Sequence, residues 1–256
     1  MNLFVFEIET IPDIEGGRRL YDLAGLTDKE VANVMFHKRR QETGTENLRL
    51  HLQRIVAISA VLRTSDDLTV WSLGGEIDSE KEMIREFFEV IEKHAPDIIS
   101  WNGKRFDLPV LHFRSLVHGI KAPQYWENSE KNENLTLNNF VSHSQSFHTG
   151  LMESLAGHEM PEEVPLHEVA CLLGFPGKVG MSSASVWDNY RAENIALIRS
   201  SCETVALNTY LVYLRYQLIR GKLTKQEFEA ECDIVQNILA SENKNHFTEF
   251  LKAWQR

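Results

Sequence analysis

The chain has 256 residues and a formal net charge of −10, from 37 acidic and 27 basic side chains. Its 43% hydrophobic and 25% charged residues describe an ordinary soluble globular protein, and no run approaches the roughly eighteen apolar residues of a membrane span. The acidic excess argues against coating nucleic acid by bulk charge, though not against gripping a short end in a small cleft.

A first strand is predicted over Leu3–Thr10, stopped by Pro12. It has no basic n-region and carries Glu inside its apolar run, so it does not read as a signal peptide. A polar segment follows from Asp13 to about Arg49, with a helix-like stretch over Asp28–Arg40 that ends in His37-Lys38-Arg39-Arg40. Ile55–Arg63 and Leu68–Leu73, joined by Thr64-Ser65-Asp66-Asp67, read as a hairpin. Ser79 and Glu82 form a capping box, and Met83, Ile84, Phe87, Phe88 and Ile91 make one apolar stripe behind it. A buried strand at Asp97–Trp101 precedes a helix at Asp107–His118, closed by Gly119.

Residues 124–147 are rich in Asn, Ser and Glu and read as an insertion or mobile loop. Pro165 opens a short helix with Leu166, Val169, Leu172 and Leu173 on one face and Gly174 at its end. Phe175–Gly180 is a loop, and a long helix covers about Glu193–Arg220. Helices over Thr224–Ala240, with a Thr224/Glu227 box, and His246–Trp254 finish the chain. This order predicts an α/β fold in one domain: a mixed sheet flanked by helices, with a helical C-terminal extension. The cysteines, Cys171, Cys202 and Cys232, are odd in number and lack close pairing, which fits a reducing cytoplasm.

Two features carry candidate chemistry. Residues two apart on a strand share a face, so Glu7 and Glu9 project together, beyond Leu3 and Val5. Two adjacent carboxylates repel unless a cation lies between them. Taken alone, the pair reads more readily as a strand running out of the core into solvent than as a site. The second feature is Ser100-Trp101-Asn102-Gly103-Lys104-Arg105-Phe106-Asp107, where a strand ends, a glycine turn follows and an acid opens a helix. Ligand sites favour such carboxyl ends of strands. Taken alone, Asp107 reads as a helix cap.

Together the two features resemble the DEDD 3′–5′ exonucleases. More closely, the chain is similar to bacterial predicted exonucleases related to the proofreading domain of family B DNA polymerases. The stretches that carry the resemblance are Ile55–Ser59, Ser100–Leu111, Leu172–Lys178, Val186-Trp187, Cys202-Glu203-Thr204, Leu207–Arg215 and Phe250–Trp254. The resemblance implies a ribonuclease H-like exonuclease domain over residues 1–220, with 221–256 as a helical extension packed on it. It implies hydrolysis of a terminal phosphodiester by two divalent metals held on oxygen ligands. It also implies a motif set of Asp-Ile-Glu-Thr, Asn-x-x-x-Phe-Asp and Tyr-Cys-Glu-Thr-Asp. The first is Glu7-Ile8-Glu9-Thr10 here, the second is intact at Asn102, Phe106 and Asp107, and the third is Ser201-Cys202-Glu203-Thr204-Val205. The water-orienting Tyr thus aligns with Ser201 and a metal-binding Asp with Val205. The family typically also has Asp where Gly150 and Glu153 stand.

Three of the five catalytic positions have therefore changed. Glu for Asp at position 7 shifts a carboxylate by about an ångström, enough to cost on the order of a hundredfold in a positioned site. Val205 has no ligand atom. Glu203, two residues away, lies about 200° round the helix, while Asn208, one turn on, offers an uncharged carbonyl. The expectation is a degenerate exonuclease with two-metal hydrolysis absent or very weak. Glu7, Glu9 and Asp107 would hold one loosely bound Mg²⁺ or Mn²⁺ ion. The single-stranded 3′ end of DNA or RNA would be gripped by Thr10, Asn102, Lys104, Arg105, Phe106 and Lys178. A working metal-dependent exonuclease would need Glu153, Asp188 or another acid to replace the missing ligand. A protein-interaction scaffold that binds no nucleic acid is the third reading. The histidines, His143, His148, His158 and His167 among them, lack zinc spacing, and His148 reads as packing or hydrogen-bonding at the cleft edge. Hydrolase-elbow and P-loop motifs are absent.

Overall fold

A computed structural model describes residues 2–126, 148–156, 163–182 and 185–254. Most of the segment expected to be an insertion lies outside the described residues, as do His143 and His158. Five strands form one sheet in the order β3-β2-β1-β4-β5. They are β1 (Leu3–Pro12), β2 (Gln53–Arg63), β3 (Leu68–Ser72), β4 (Asp97–Ser100) and β5 (His148–Gly150). β1 pairs antiparallel with β2 and β2 with β3, while β1–β4 and β4–β5 run parallel. The sheet is thus mixed, as the hairpin followed by a strand–helix–strand return requires.

Alternation along β1 divides the core. Phe4, Phe6 and Ile8 face α3 (Glu80–His94) and α4 (Asp107–His118), where Phe87 packs edge-on against Phe6 with ring centroids 4.9 Å apart. Leu3 and Val5 face α9 (Ile195–Ile219), whose Ala206, Leu207, Tyr210 and Leu211 are fully buried. α10 (Lys225–Ser241) and α11 (Asn245–Ala253) join the α9 layer through Phe228, Val235, Phe247 and Phe250. Both expected capping boxes, Ser79/Glu82 and Thr224/Glu227, form, and Gly119 closes α4 in the left-handed conformation.

Several elements differ from expectation. β1 runs through Pro12, and α2 (Asp28–Thr43) extends three residues past Arg40. The segment after β1 begins with α1 (Ile14–Tyr21), despite its Gly16-Gly17 pair, because Asp13 caps it by accepting from the Gly16 N–H at 3.1 Å. α5 (Pro123–Trp126), α6 (Leu151–Ala156) and α8 (Val186–Arg191) are too short to show a periodic pattern. α7 (Leu166–Leu172) follows Pro165 as expected. Among the described residues no helix is long and apolar enough to cross a membrane.

Candidate functional site

The site begins where the sheet splits. Pairing of β1 with β4 ends at Val5 and Ile99, and beyond that point the β1 edge is open on this side. On the other edge β1 stays paired with β2, with a register shift at Glu9/Thr10 that leaves Val56 as an extra residue. Such bulges bend a strand locally and re-aim its side chains. Glu7 and Glu9 therefore sit buried under α9, not at a strand end running into solvent. Chain turns out of β4 through Trp101–Phe106 and delivers Asp107 to the open edge as the first residue of α4. Asp107 is not the cap: Phe106 holds that position without a side-chain cap bond, and the Asp107 carboxylate is buried against β1. Gly103 allows this turn because a Cβ there would strike Ser100 Oγ and His148 Nε2, themselves hydrogen-bonded at 2.7 Å. Burial pushes His148 down to about 3, so its ring is neutral at the cleft edge.

Glu7 is tied down. Thr209 Oγ1 on α9 donates to its Oε1 at 2.6 Å, and the Trp101 N–H donates to the same oxygen at 3.2 Å. Burial, and then the charge of Asp107, nonetheless hold Glu7 well above the usual carboxylate range. Burial pushes Glu9 up to about 7, with the Lys178 ammonium pulling the other way. Burial also pushes Asp107 up to about 7, although its own N–H and that of Ile8 favour the charged form; the charges of Glu9 and Glu153 raise it further. Carboxyls in this state keep more of their protons near neutral pH than exposed ones do.

Glu153 is the fourth acid of this neighbourhood. Both its carboxylate oxygens are buried without a hydrogen-bond partner. A Cβ at Gly150 would land on Glu153 Oε2, so the missing side chain at 150 is what makes room for this carboxylate. Asp188 plays no such part: it is exposed on α8, 3.8 Å from Arg191.

The model of the family described as predicted 3′–5′ exonucleases related to the exonuclease domain of PolB matches residues 45–254. The chain belongs to this family. The match begins after the strand that carries Glu7 and Glu9. A 55-residue stretch is also 47% identical to a DNA polymerase of Pyrococcus glycovorans and 46% identical to DNA polymerase 1 of Pyrococcus abyssi. That stretch is 21% of this chain and 7% of each polymerase, so the chain spans a small part of the curated relatives it matches. With its five-stranded mixed sheet and flanking helices, this PolB-related member has the ribonuclease H-like fold.

The donor set of this family member does not fit the two-metal arrangement. Among the described residues no three His, Cys, Asp or Glu side chains come close enough together to hold one ion. On α9, Ser201 is buried and donates weakly to the Met181 carbonyl at 3.4 Å, and Val205 is half-buried with no ligand atom. Asn208 does not substitute as a carbonyl donor. Its Oδ1 accepts from the Gly177 N–H at 3.0 Å, and its Nδ2 donates to the carbonyls of Gly177 and Thr204 at 2.6 and 2.8 Å. Glu203 faces elsewhere, bound to Ser72 at 2.9 Å and His246 at 2.8 Å.

Of the expected end-binding residues, Asn102 has a buried Oδ1 with no hydrogen-bond partner among the described residues. Lys104 and Arg105 are exposed on the same turn, and Phe106 is half-buried against the α3–α4 core. Thr10 is turned to Gln53, donating at 2.9 Å. Lys178 is half-buried in the loop that Asn208 clamps, and acts on Glu9 as its counter-charge. Sequence reasoning missed Thr209, which stands within a family stretch but shows its partner only in three dimensions.

Proposed function

We propose that this PolB-related domain binds a nucleic-acid 3′ end and hydrolyses it very weakly or not at all. The observation that carries this reading is the restraint on Glu7. Its longer side chain is bound to Thr209 and the Trp101 N–H, while Val205 on α9 has no ligand atom to offer. The retained Asn102-x-x-x-Phe106-Asp107 turn, with its unpartnered Asn102 Oδ1, supports a surviving grip on the end. Lys104 and Arg105 supply phosphate contacts beside it. The residues that would hold a single Mg²⁺ or Mn²⁺ are Glu7, Glu9 and Asp107, after they move closer together.

One observation favours a second reading, an active exonuclease with a rearranged site. Glu153 brings a carboxylate with two unpartnered oxygens to the side of Asp107. Digestion of a 5′-labelled, 3′-recessed DNA strand in Mn²⁺ and in Mg²⁺ separates the two. The wild type is expected to be silent or very slow, and the Val205→Asp/Ser201→Tyr double variant to gain activity. Processive cutting by the wild type, abolished by Glu153→Gln, overturns the first reading and establishes the second.

A further inference from the structure

A pocket of about 450 Å³ opens between the end of α7, α9, α10 and the end of α11. That volume falls within the range that takes a small organic ligand. Arg215 enters it from α9, about 9 Å of helix beyond the Thr209 that holds Glu7. Phe175, Phe228 and Trp254 supply apolar walls, and the Trp254 ring meets Phe175 edge-on at 86° with centroids 5.9 Å apart.

The Arg215 guanidinium lies 4.6 Å from the Phe228 ring centroid and 5.9 Å from that of Phe175. A guanidinium stacked on rings still points its N–H donors outward in its own plane. Here those donors go unanswered. Nε is buried without a hydrogen-bond partner, and Arg215 has neither a carboxylate partner nor a hydrogen bond among the described residues. Arg63 and Arg114, likewise drawn into the interior, both hold carboxylates. Glu229 and Asp233 also line the pocket and outnumber the single guanidinium. Both are exposed, and Glu229 already meets Lys225 at 3.7 Å. Water screens these outer charges, whereas the guanidinium under the rings acts through a lower dielectric. The floor therefore attracts one anionic group, and the rim repels a second.

We propose that this pocket binds a small monocarboxylate with an apolar body, the carboxylate on the Arg215 N–H donors and the body along Phe228 and Trp254. The same charge pattern turns away dicarboxylates and nucleotides, so the site does not depend on the end-binding reading. With only ring faces to answer it, the half-buried charge costs the fold stability. Replacing Arg215 by an apolar side chain of similar length should therefore leave the fold as stable as before, or more so, while removing the site.

The test follows the Trp254 indole N–H resonance in proton–nitrogen NMR spectra of the full chain, assigned by its loss in Trp254→Phe. Phenylbutyrate is expected to shift it with half-saturation at about 1 mM. Phenylbutanamide, the uncharged isostere, and phenylsuccinate, a dicarboxylate, are expected to bind about tenfold more weakly or less. In Arg215→Met the acid should lose its advantage over the amide, with Tm equal to or above that of the wild type. An indole resonance unmoved by phenylbutyrate, an equal response to acid and amide, or an undiminished response in Arg215→Met each overturns the assignment. The comparison of acid with amide uses the wild type alone, so it decides the question even if Arg215→Met does not fold.

Discussion

The Glu153 carboxylate lies where a side chain at Gly150 would begin. The absent side chain at position 150 leaves the space that the Glu153 carboxylate fills. Gly150→Ala should swing Glu153 outward. The clash falls on the far end of a flexible side chain, so the stability cost should stay near 1 kcal/mol or below. In the same variant Asp107 loses a neighbouring charge, and its carboxyl should titrate lower, though still above the ordinary range because burial is the larger cause. Carboxyl-carbon NMR titration reads this directly, and an Asp107 resonance unmoved in both Gly150→Ala and Glu153→Gln would refute the coupling.

The Thr209–Glu7 bond spans 202 residues of chain and ties α9 to β1. Thr209→Val keeps the shape and removes the donor. Urea unfolding should show a loss of about 1–2 kcal/mol, the cost of a buried carboxylate deprived of one of its two donors. If Glu7 is restrained as described, the same variant should bind Mn²⁺ more tightly by calorimetry.

Glu9 and His148 give opposite pH signatures. Glu9 keeps its proton up to about pH 7 in the folded state, against 4.5 as its ordinary value. Between those values the folded state binds more protons, so this group makes stability fall as pH rises. His148 is the reverse: it stays neutral down to about 3, against 6.5, so its share of stability is lost as pH falls through that window. Relative to wild type, Glu9→Gln should raise the slope of unfolding free energy against pH by about 1.4 kcal/mol per unit between pH 5 and 7. His148→Asn should lower it by a similar amount between pH 4 and 6. Urea titrations across pH without metal check both, and equal slopes would contradict the burial-driven shifts.

Asn208 holds the Gly177–Lys178 loop by bonding both its N–H and its carbonyl. Asn208→Ala orphans both groups and should cost about 3 kcal/mol, a fall of about 6–12 °C in Tm. Limited proteolysis should then cut near Lys178 before elsewhere.

What the sequence made legible was local. α4 is read to the residue because Asp107, the apolar positions after it and Gly119 lie within one continuous stretch. The capping boxes at Ser79 and Thr224 behave likewise. The shared face of Glu7 and Glu9 follows from strand alternation alone, but their burial does not, because it depends on α9 crossing β1. The same holds for Thr209, for Glu153 against Gly150, and for Arg54 meeting Tyr190 across 136 positions (190 − 54). β5 has three residues and no pattern to detect. By sequence Asn208 reads as a spare carbonyl, because its partner, a loop backbone, leaves no mark in residue type.

The early end of the β1–β4 ladder has a mechanical meaning. The acids sit on two jaws: Glu7 and Glu9 on a strand held at one edge by β2, and Asp107 on the turn that leaves β4. The gape between those jaws is set by the rung at which a zipper of backbone hydrogen bonds stops. Inserting a residue between Trp101 and Phe106 would reposition one jaw and leave the other in place, whereas extending the ladder past Ile99 would close the mouth on its own carboxylates.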